Sequence, residues 1–237
     1  MAAEHIVTIV QARMGSTRFP GKTLAPFAGT TVLAHILGRL RRALRPLDIW
    51  VATTDRDEDD AVVQVCAQSA TPASRGSADD VLSRFITCLQ DMPELPSVVL
   101  RVCADRPLLC PLLVDELLEA YDELGRPDYL SNNLQPSYPD GLDLELVRTE
   151  MLLEAHRESR DAYEREHVTP FVYRQPERFR LAGLTCPFGN FSDGRAALDT
   201  PADYERLQAV HKELSARAPD YDYRDVLNLA SLQPELF

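Results

Sequence analysis

The sequence predicts an α/β fold in which helices cover both faces of a mostly parallel, twisted sheet. Three apolar runs rich in β-branched residues, at 6–10, 49–54 and 98–104, have the composition of buried strands. A segment with apolar residues at helical spacing follows each run. Strands that alternate with helices are typical of parallel sheets, because parallel neighbours need a crossover connection. The 237 residues, 45% of them hydrophobic, suit one domain that spans 1–237.

The first half of the chain is expected to contain regular elements. The strand at 6–10 leads into a polar loop, and the apolar spacing predicts a helix at 31–45, which Thr30 or Thr31 can cap. The next predicted elements are, in order, a strand at 49–54, a helix at 57–69, a loop at 75–80, a helix from Val81 that includes Leu89, a strand at 98–104 and a helix at 111–124.

The second half is less regular. Its expected elements are strands at 128–133 and 143–147, a turn at 136–141 between them, helices at about 149–159 and 161–174, a strand at 180–186 and a last helix from about Pro201. Residues 128–175 form a polar excursion from the βα pattern. Such an excursion carries a second substrate or a subunit contact, or is only a long surface segment.

The loop after the first strand contains three cationic residues. Arg13, Arg18 and Lys22 lie within a stretch rich in small residues. Backbone N–H groups and guanidinium groups together can neutralise several phosphate oxygens, so we predict a triphosphate site here. The glycine spacing differs from the Walker A pattern and from Gly-x-Gly-x-x-Gly, which argues against a P-loop NTPase or an ordinary dinucleotide binder. A polar loop with cations by chance is the alternative.

Asp105 is a second candidate site residue. It follows the strand at 98–104, and ligand sites in parallel sheets lie outside the carboxyl ends of the strands. A carboxylate in this position can hold Mg²⁺, which prefers oxygen ligands and substrate phosphates. The alternative is that Asp105 only caps the turn into the next helix.

Other polar residues have simple structural alternatives. Ser77 and Asp80 have the spacing of a weak capping box, while Arg75 lies where a loop could approach a base or ribose. Asp199 could be the N-cap of the last helix. His167 taken alone is more often a structural histidine than a catalytic one.

Composition argues against several classes of protein. A net charge of -12 and a pI near 4.9 do not suit a general nucleic-acid binder. Arg39, Arg41, Arg42 and Arg45 on the first helix are expected to form a solvated face. The five cysteines lack metal or disulfide spacing and are expected to be buried in a reducing compartment. Because we find neither a signal peptide nor an apolar stretch of about 18 residues, we expect a cytoplasmic protein without a membrane partner.

An ordered set of motifs adds a resemblance to a known family. The motifs are Gln11-Ala12-Arg13 with Ser16, Arg18, Pro20 and Lys22; Arg75-Gly76-Ser77; Ala104-Asp105-Arg106-Pro107; Asp140-Gly141-Leu142-Asp143; Arg165-Glu166-His167-Val168-Thr169-Pro170; and Leu198-Asp199-Thr200-Pro201. Together they resemble the cytidylyltransferase family that contains spore coat polysaccharide biosynthesis protein SpsF. More distantly, they are similar to the synthetases of CMP-activated acylneuraminate and deoxy-octulosonate sugars. The resemblance covers almost the whole chain.

The resemblance implies a three-layer fold of the nucleotide-diphospho-sugar transferase type. The implied reaction is Mg²⁺-dependent transfer of CMP from CTP to a sugar or sugar-acid acceptor, with release of pyrophosphate, in the biosynthesis of surface polysaccharides or glycoconjugates. A homodimer is also implied, with CTP and a small sugar-type acceptor as ligands and no nucleic acid as a partner.

The resemblance also assigns roles to individual residues. The implied nucleotide site comprises Gln11, Ala12, Arg13, Ser16, Arg18, Lys22, Arg75, Ser77 and Asp105, of which Arg13, Lys22 and Asp105 would act in catalysis. The implied Mg²⁺ ligands are Asp105 and Asp199. Several CMP-sugar synthetases carry a further carboxylate two positions before the second aspartate, where this chain has Ala197. The implied acceptor site in the excursion at 128–175 comprises Asn133, Asp140, Asp143, Glu145, Glu166 and His167.

Two competing functions remain open at this point. One is a nucleotide-sugar binding module without catalysis, and the other is a uridylyl- or guanylyltransferase of the same fold. The preference for cytosine rests on the resemblance alone.

Overall fold

The computed structural model describes residues 4–237, which form a seven-stranded sheet and a small two-stranded hairpin. The strands are β1 (Ile6–Gln11), β2 (Pro26–Phe27), β3 (Thr30–Thr31), β4 (Asp48–Thr54), β5 (Ala73–Gly76), β6 (Val98–Cys103), β7 (Tyr129–Ser131), β8 (Glu145–Arg148) and β9 (Leu181–Gly183). In the large sheet they lie in the order β5-β4-β1-β6-β8-β7-β9. Among these strands, β8 alone runs antiparallel to its neighbours, so the predicted mostly parallel sheet is confirmed.

Helices connect the strands on both faces of the sheet. They are α1 (Val32–Leu40), α2 (Asp60–Gln68), α3 (Val81–Asp91), α4 (Pro111–Glu123), α5 (Thr149–Glu158), α6 (Ala162–His167), α7 (Pro170–Tyr173), α8 (Pro201–Arg217) and α9 (Tyr223–Leu232). Within residues 4–237, no helix combines the length and apolar character needed to span a membrane.

The sheet separates two hydrophobic layers, because successive strand residues point to opposite faces. On one face, Val10 of β1 and Val51 of β4 pack with residues of α1, α2, α4, α8 and α9. On the other face, Val7 and Ile9 of β1 pack with residues of α3, α5 and α7. This confirms the three-layer α/β prediction.

The first helix is shorter than predicted. Thr31 caps its start as expected, but α1 ends at Leu40 rather than near residue 45. The backbone N–H groups of Leu44 and Arg45 donate instead to the Asp115 carboxylate of α4, at 2.9 and 3.1 Å. A tertiary contact therefore replaces the last predicted turn of the helix.

The single helix predicted at 161–174 is two short helices. Val168 separates α6 from α7 and has a φ of 74°, a left-handed value that β-branched residues rarely adopt. Pro170 then starts α7, where its missing N–H is not needed. The break between the two helices lies inside the motif Arg165-Glu166-His167-Val168-Thr169-Pro170.

Several elements differ from their predicted form. The first two residues of the loop expected at 75–80 belong to strand β5. The predicted helix at 57–69 begins with a 3-10 turn at Asp57–Asp59. The strand predicted at 180–186 is shorter, since β9 covers only Leu181–Gly183. The β2–β3 hairpin and α9 were not predicted.

Two expectations about side chains also need correction. Arg39 is buried, not solvated, because its guanidinium donates to the carbonyl oxygens of Leu109 and Tyr221 and lies 4.2 Å from the centre of the Tyr221 ring. Of the cysteines, Cys103 is only half-buried, while the other four are buried as expected.

The alternative capping roles have mixed outcomes. Asp80 is the N-cap of α3, and Ser77 Oγ accepts the N–H of Asp80 at 3.0 Å, which is one of the two contacts of the predicted weak capping box. Thr200, rather than Asp199, caps α8. Asp105 caps no helix, since the N-cap of α4 is Cys110 and no side chain caps this helix.

Candidate active site

A cleft of about 730 Å³ opens at one edge of the sheet. Strands β1 and β6 are parallel and end at this edge. Strand β8 starts there, because Glu145 pairs with both Arg101 of β6 and Ser131, the last residue of β7. The topology therefore brings the loops after β1, β6 and β7 to the same place, as the sequence predicted for Asp105.

Lys22 lies at the centre of this edge. Its ammonium Nζ donates to Asp105 Oδ2 at 2.9 Å and to Asp199 Oδ1 at 3.0 Å. It also donates to the carbonyl oxygen of Leu198 at 2.6 Å, and Arg18 Nη2 lies 2.9 Å from Asp199 Oδ1. Residues from the beginning, middle and end of the chain thus converge on one ammonium group.

The electrostatics of this group favour an ionised Asp199. Burial by itself would raise the pKa of Asp199, but the hydrogen bond and charge of Lys22 and the charge of Arg18 outweigh it, so the pKa is lowered. Asp105 Oδ1 is buried and has no hydrogen-bond partner within residues 4–237.

The loop at 11–22, which we call the phosphate loop, is held from inside. Gly21 adopts a left-handed φ of 75° and its N–H donates to the carbonyl oxygen of Met14 at 3.0 Å. The fully buried Asp59 accepts the N–H of Met14 at 2.6 Å and also the hydroxyl of Thr54. Asp59 was missed from the sequence, and its role is to position the loop.

The phosphate loop lines the cleft with the residues expected there. Gln11, Ala12, Arg13, Ser16, Arg18 and Lys22 all contribute to the lining. Arg13 is exposed, and its Nη1 donates to the carbonyl oxygen of Ala78 at 3.3 Å. Because Arg13 and Arg18 are largely solvated, their guanidinium groups remain accessible to a ligand.

Arg75 and Ser77 do not line the cleft. Arg75 donates to the carbonyl oxygens of Thr54 and Arg56, at 3.0 and 2.8 Å. The carbonyl oxygen of Ser77 accepts from Arg84, at 3.0 Å, and Arg84 itself lines the cleft. Burial and the neighbouring charge of Arg13 lower the pKa of Arg84 to about 10.

Arg84 was missed by sequence reasoning. It lies on the predicted helix that follows Ser77, and its only local signal is a charged residue on a segment that is otherwise largely buried. In the structure Arg84 lines the cleft, whereas Arg75 does not.

Arg106 organises the aspartates of the Asp-Gly-Leu-Asp motif. Its guanidinium lies 2.8 Å from Asp140 Oδ1 and 3.0 Å from Asp143 Oδ2. Asp140 also pairs with Arg195 at 2.6 Å and does not line the cleft, whereas Asp143 does. Burial raises the pKa of Asp143, in spite of the opposing charge of Arg106.

Gly141 allows this motif to pack against the chain before Asp199. Its φ is 107°, and a Cβ atom there would lie 2.3 Å from the backbone carbon of Ala196. Ala197 is also buried, and its side chain offers no ligand for a metal ion. Because a Cβ atom would not fit, the close approach of residue 141 to the backbone of Ala196 is possible only with glycine.

Glu145 lies at the floor of the cleft and its carboxylate is fully engaged. Oε1 accepts the hydroxyls of Tyr129 and Thr169, each at 2.6 Å, and Oε2 pairs with Arg101. Burial alone would raise the pKa of Glu145, but the charge of Arg101 and these hydrogen bonds lower it. Arg101, Tyr129 and Thr169 were missed as members of the site.

Asn133, Glu166 and His167 also line the cleft, as the sequence predicted. All three are exposed, and the ring of His167 lies 4.2 Å from that of Tyr163. Within the described chain, the side chains of Asn133 and Glu166 have no hydrogen-bond partner.

A contact outside the predicted set joins two of the motifs. Asp80 Oδ1 caps α3 by accepting the N–H of Ser83 at 2.9 Å, while Asp80 Oδ2 accepts Arg165 Nε at 2.7 Å. Arg165 therefore connects α6 to the N-terminus of α3 and does not line the cleft. It fixes the helix that carries Glu166 and His167.

The carboxylates of Asp105 and Asp199 are the groups in this cleft that suit a divalent metal ion. Residues 4–237 contain no preformed group of three or more metal-ligating side chains. Asp105 and Asp199 nevertheless approach the same ammonium, and Asp105 Oδ1 has no hydrogen-bond partner within residues 4–237, although Arg106 Nε lies 3.5 Å from it. Two carboxylates of this kind suit Mg²⁺, whose other ligands are commonly water and substrate phosphates.

The fold and the site together define a nucleotidyltransferase-like α/β protein. A cleft at the carboxyl ends of parallel strands combines accessible cations with paired aspartates, which suits a nucleoside triphosphate. The family model described as Cytidylyltransferase matches residues 7–224. The chain belongs to this cytidylyltransferase family, as the motifs indicated.

Comparisons with individual proteins agree. The chain is 31% identical, over 97% of its length and 95% of the relative, to spore coat polysaccharide biosynthesis protein SpsF of Bacillus subtilis. It is 28% identical, over 93% of its length and 90% of the relative, to 3-deoxy-manno-octulosonate cytidylyltransferase of Anaeromyxobacter dehalogenans. A solved cytidylyltransferase from Leptospira borgpetersenii superposes with a TM-score of 0.89 at 27% identity, covering 99% of this chain and 97% of that one.

Proposed function

We propose that this cytidylyltransferase moves CMP from CTP to a hydroxyl group of a small sugar-type acceptor, with Mg²⁺ as cofactor. The observation that carries the proposal is the position of the Lys22 ammonium between Asp105 and Asp199, beside the phosphate loop. Membership of the cytidylyltransferase family supports the choice of CTP over UTP or GTP.

The proposed reaction is a displacement at phosphorus. An oxygen of the acceptor forms a bond to the α-phosphorus of CTP, the bond from that phosphorus to the β-phosphate oxygen breaks, and the acceptor hydroxyl loses its proton as pyrophosphate leaves. Such a transfer depends on positioning and on neutralising charge rather than on a protein nucleophile.

The chain's own residues would supply this positioning. Arg13, Arg18 and Lys22 would bind the triphosphate oxygens and stabilise the charge that develops on the leaving pyrophosphate. Gln11, Ala12 and Ser16 adjoin them in the lining and are proposed as further nucleotide contacts, together with Arg84.

Asp105 and Asp199 are the proposed Mg²⁺ ligands. When bound, a magnesium ion polarises phosphoryl oxygens and offsets their charge. Lys22 holds the two carboxylates near each other, beside the loop that would bind the triphosphate. Only two protein carboxylates are proposed, since Ala197 replaces the third.

The acceptor is proposed to bind beside Asn133, Asp143, Glu166 and His167, which line the part of the cleft formed by the excursion at 128–175. Glu145 is proposed to position Arg101, Tyr129 and Thr169 rather than to bind the acceptor, because its oxygens already accept from these groups.

We also propose a cytoplasmic homodimer. The five unpaired cysteines suit a reducing compartment. The dimer rests on the family resemblance, and light scattering of the purified protein would test it directly.

The proposed function is tested by pyrophosphate release with CTP, Mg²⁺ and a panel of sugar acceptors. In Asp105→Asn we expect a loss of at least about 100-fold in rate, because one of the two carboxylates proposed to hold Mg²⁺ loses its charge. Asp220→Asn is the matched control, since Asp220 is exposed and pairs only with Arg42 on the surface. Full activity of Asp105→Asn would contradict the assignment. CTP binding without pyrophosphate release by the natural chain would identify a binding module instead.

A further inference from the structure

Asp140 of the Asp-Gly-Leu-Asp motif lies outside the cleft lining, yet its carboxylate joins two arginines. Oδ1 accepts from Arg106 Nη1 at 2.8 Å, and Oδ2 accepts from Arg195 Nη1 at 2.6 Å. All three side chains belong to half-buried residues, so solvent screens their charges only in part. The charge of Asp140 can therefore act on whatever else the two arginines contact.

Each of these arginines also contacts one of the two proposed Mg²⁺ ligands. Arg106 Nε lies 3.5 Å from Asp105 Oδ1, and Arg195 Nη2 donates to Asp199 Oδ2. On the other oxygens of the same carboxylates, the Lys22 ammonium donates to Asp105 Oδ2 at 2.9 Å and to Asp199 Oδ1 at 3.0 Å. Three carboxylates and three cations therefore alternate in a closed ring, which we call the charge ring: Asp105, Lys22, Asp199, Arg195, Asp140 and Arg106.

Backbone hydrogen bonds hold Asp140 in this ring independently of the charges. Its N–H donates to the carbonyl oxygen of Gly194 at 3.0 Å, and its carbonyl oxygen accepts the N–H of Ala196. The N–H of Leu198 donates to the carbonyl oxygen of Asp105 at 2.9 Å. The segment that leads to the second proposed metal ligand is thus fixed to both Asp140 and Asp105.

The charge of Asp140 has opposite consequences for a metal ion and for a triphosphate. With Asp140 ionised, the charge ring holds three negative and three positive charges. If Asp140 were neutral, Arg106 and Arg195 would act more strongly on the two remaining carboxylates, and the ring would carry a net positive charge. Such a change disfavours a divalent cation and does not disfavour an anionic ligand.

We propose that Asp140 is a positioning residue for the metal-binding carboxylates. Its charge draws Arg106 and Arg195 away from Asp105 and Asp199, and so keeps oxygens of these two carboxylates available to Mg²⁺. This inference rests on the proposed CMP transfer and gives a role in the same site to a residue that does not line the cleft.

Calorimetry with a CTP analogue measures this role. The analogue carries a methylene group between the α- and β-phosphorus, so that it binds without being cleaved. Its dissociation constant is measured with the whole protein in EDTA and at a fixed Mg²⁺ concentration, and the ratio of the two values is the gain in affinity that Mg²⁺ provides. In Asp140→Asn we expect this gain to fall at least about fivefold, while the affinity in EDTA stays the same or rises. An unchanged gain, or weaker binding in EDTA, would overturn the proposal.

Matched variants separate the charge of Asp140 from its size. Asp193→Asn removes the charge of an exposed carboxylate two residues before Arg195 and should leave the gain unchanged. Asp140→Glu and Asp140→Gln have side chains of equal length and differ only in charge. We expect the gain to be at least about fivefold larger in Asp140→Glu than in Asp140→Gln. Equal gains in these two variants would overturn the proposal.

Denaturant unfolding of the same variants separates positioning from a role in the fold. Arg106 keeps Asp143 as a partner at 3.0 Å and Arg195 keeps Asp203 at 3.6 Å, so neither arginine loses its last carboxylate when Asp140 is neutral. The Asp140 variants should therefore fold. A loss of stability in Asp140→Asn without any change in the Mg²⁺ gain would identify a purely structural role and overturn the proposal.

Pyrophosphate release from CTP separates this inference from the proposed function. A Mg²⁺ gain that Asp140→Asn reduces, in a protein that releases no pyrophosphate with any sugar acceptor, would contradict CMP transfer but uphold the role of Asp140. Pyrophosphate release by a protein in which Mg²⁺ provides no gain, or in which Asp140→Asn leaves the gain unchanged, would uphold CMP transfer but overturn the role of Asp140.

Discussion

The phosphate loop and the cleft-lining residues between 129 and 173, called the acceptor wall, hold their neighbouring cations in different ways. Arg18 of the phosphate loop has a side chain that is 63% exposed, and Arg13 is also exposed. Beside the acceptor wall, the side chains of Arg101 and Arg106 are 12% and 19% exposed and face carboxylates. The exposed guanidinium groups of Arg13 and Arg18 are the ones proposed to bind a ligand, whereas those of Arg101 and Arg106 lie in ion pairs that are largely shielded from solvent.

The two regions also differ in how the backbone supports them. The phosphate loop follows a central strand and is fixed by backbone contacts to Asp59 and by the turn at Gly21. The acceptor wall belongs to an excursion with short helices and a left-handed Val168. Ion pairs with little exposure, such as that of Arg101 with Glu145, lie between the excursion and the central strands.

The largest effect on stability is expected for Glu145→Gln. The change removes the charge that compensates buried Arg101, so we expect the free energy of unfolding to fall by about 3–5 kcal/mol at pH 7. Denaturant unfolding would measure this loss. Because the pKa of Glu145 is lowered in the folded state, its contribution is present above the ordinary carboxyl pKa and is lost as the pH falls through the folded value.

Glu166→Gln is the matched control for this prediction. Glu166 is exposed and has no ion pair within residues 4–237, so its substitution should change the free energy of unfolding by less than about 0.5 kcal/mol. Equal losses in the two variants would remove the distinction between paired and free charges in the wall.

A smaller effect is expected for Asp203→Asn, near the phosphate loop. Asp203 accepts the N–H groups of Asp199 and Thr200, at 3.1 and 2.9 Å, within the capping box of α8. The substitution should lower the free energy of unfolding by about 1–2 kcal/mol at pH 7. Glu205→Gln, an exposed change on the same helix, serves as the control.

The pH dependence of that loss provides a second readout. Burial would raise the pKa of Asp203, but hydrogen bonds from Arg206 and Thr200 outweigh it and lower the pKa to about 2. The stabilisation is therefore complete above the ordinary pKa near 3.8 and should disappear as the pH falls from there towards about 2. A difference between the wild type and Asp203→Asn that stays constant over this range would contradict the proposed contacts.

The smallest effect is expected when the ion pair between Asp80 and Arg165 is weakened. Asp80→Asn keeps the cap of α3 but weakens the ion pair with Arg165, so α6 should hold Glu166 less firmly. We expect KM for the acceptor to rise about fivefold, equivalent to about 1 kcal/mol, with little change in KM for CTP. Asp79→Asn, on a carboxylate that is 90% exposed, is the control. A rise in KM for CTP alone would contradict this positioning role.

The regular half of the fold could be predicted from the sequence, because strands such as β1, β4 and β6 are continuous buried runs with β-branched residues. Strand β5 could not, since its four residues have neither the length nor the composition of a strand. Helix α9 carries a readable signal in the sequence, the capping box formed by Asp222 and Asp225.

The candidate site was predictable only in part. Lys22 and its two aspartates are separated by 83 and 177 residues, so no local pattern could place them together, and the order of the motifs suggested it through resemblance. The misassigned residue, Arg75, lies within the expected motif, but backbone carbonyls close to it in space take up its guanidinium. Whether the guanidinium of an arginine is exposed to solvent or shielded in an ion pair depends on tertiary contacts alone.

One paired measurement tests the contrast between the two regions most directly. Arg13→Met and Arg101→Met each remove one guanidinium, and both variants are examined by denaturant unfolding and by pyrophosphate release. We expect Arg13→Met to unfold within about 1 kcal/mol of the wild type but to lose about 100-fold in rate. Arg101→Met should lose about 3–5 kcal/mol of stability, because it leaves Glu145 unpaired. A stable Arg101→Met together with a destabilised, fully active Arg13→Met would contradict the account.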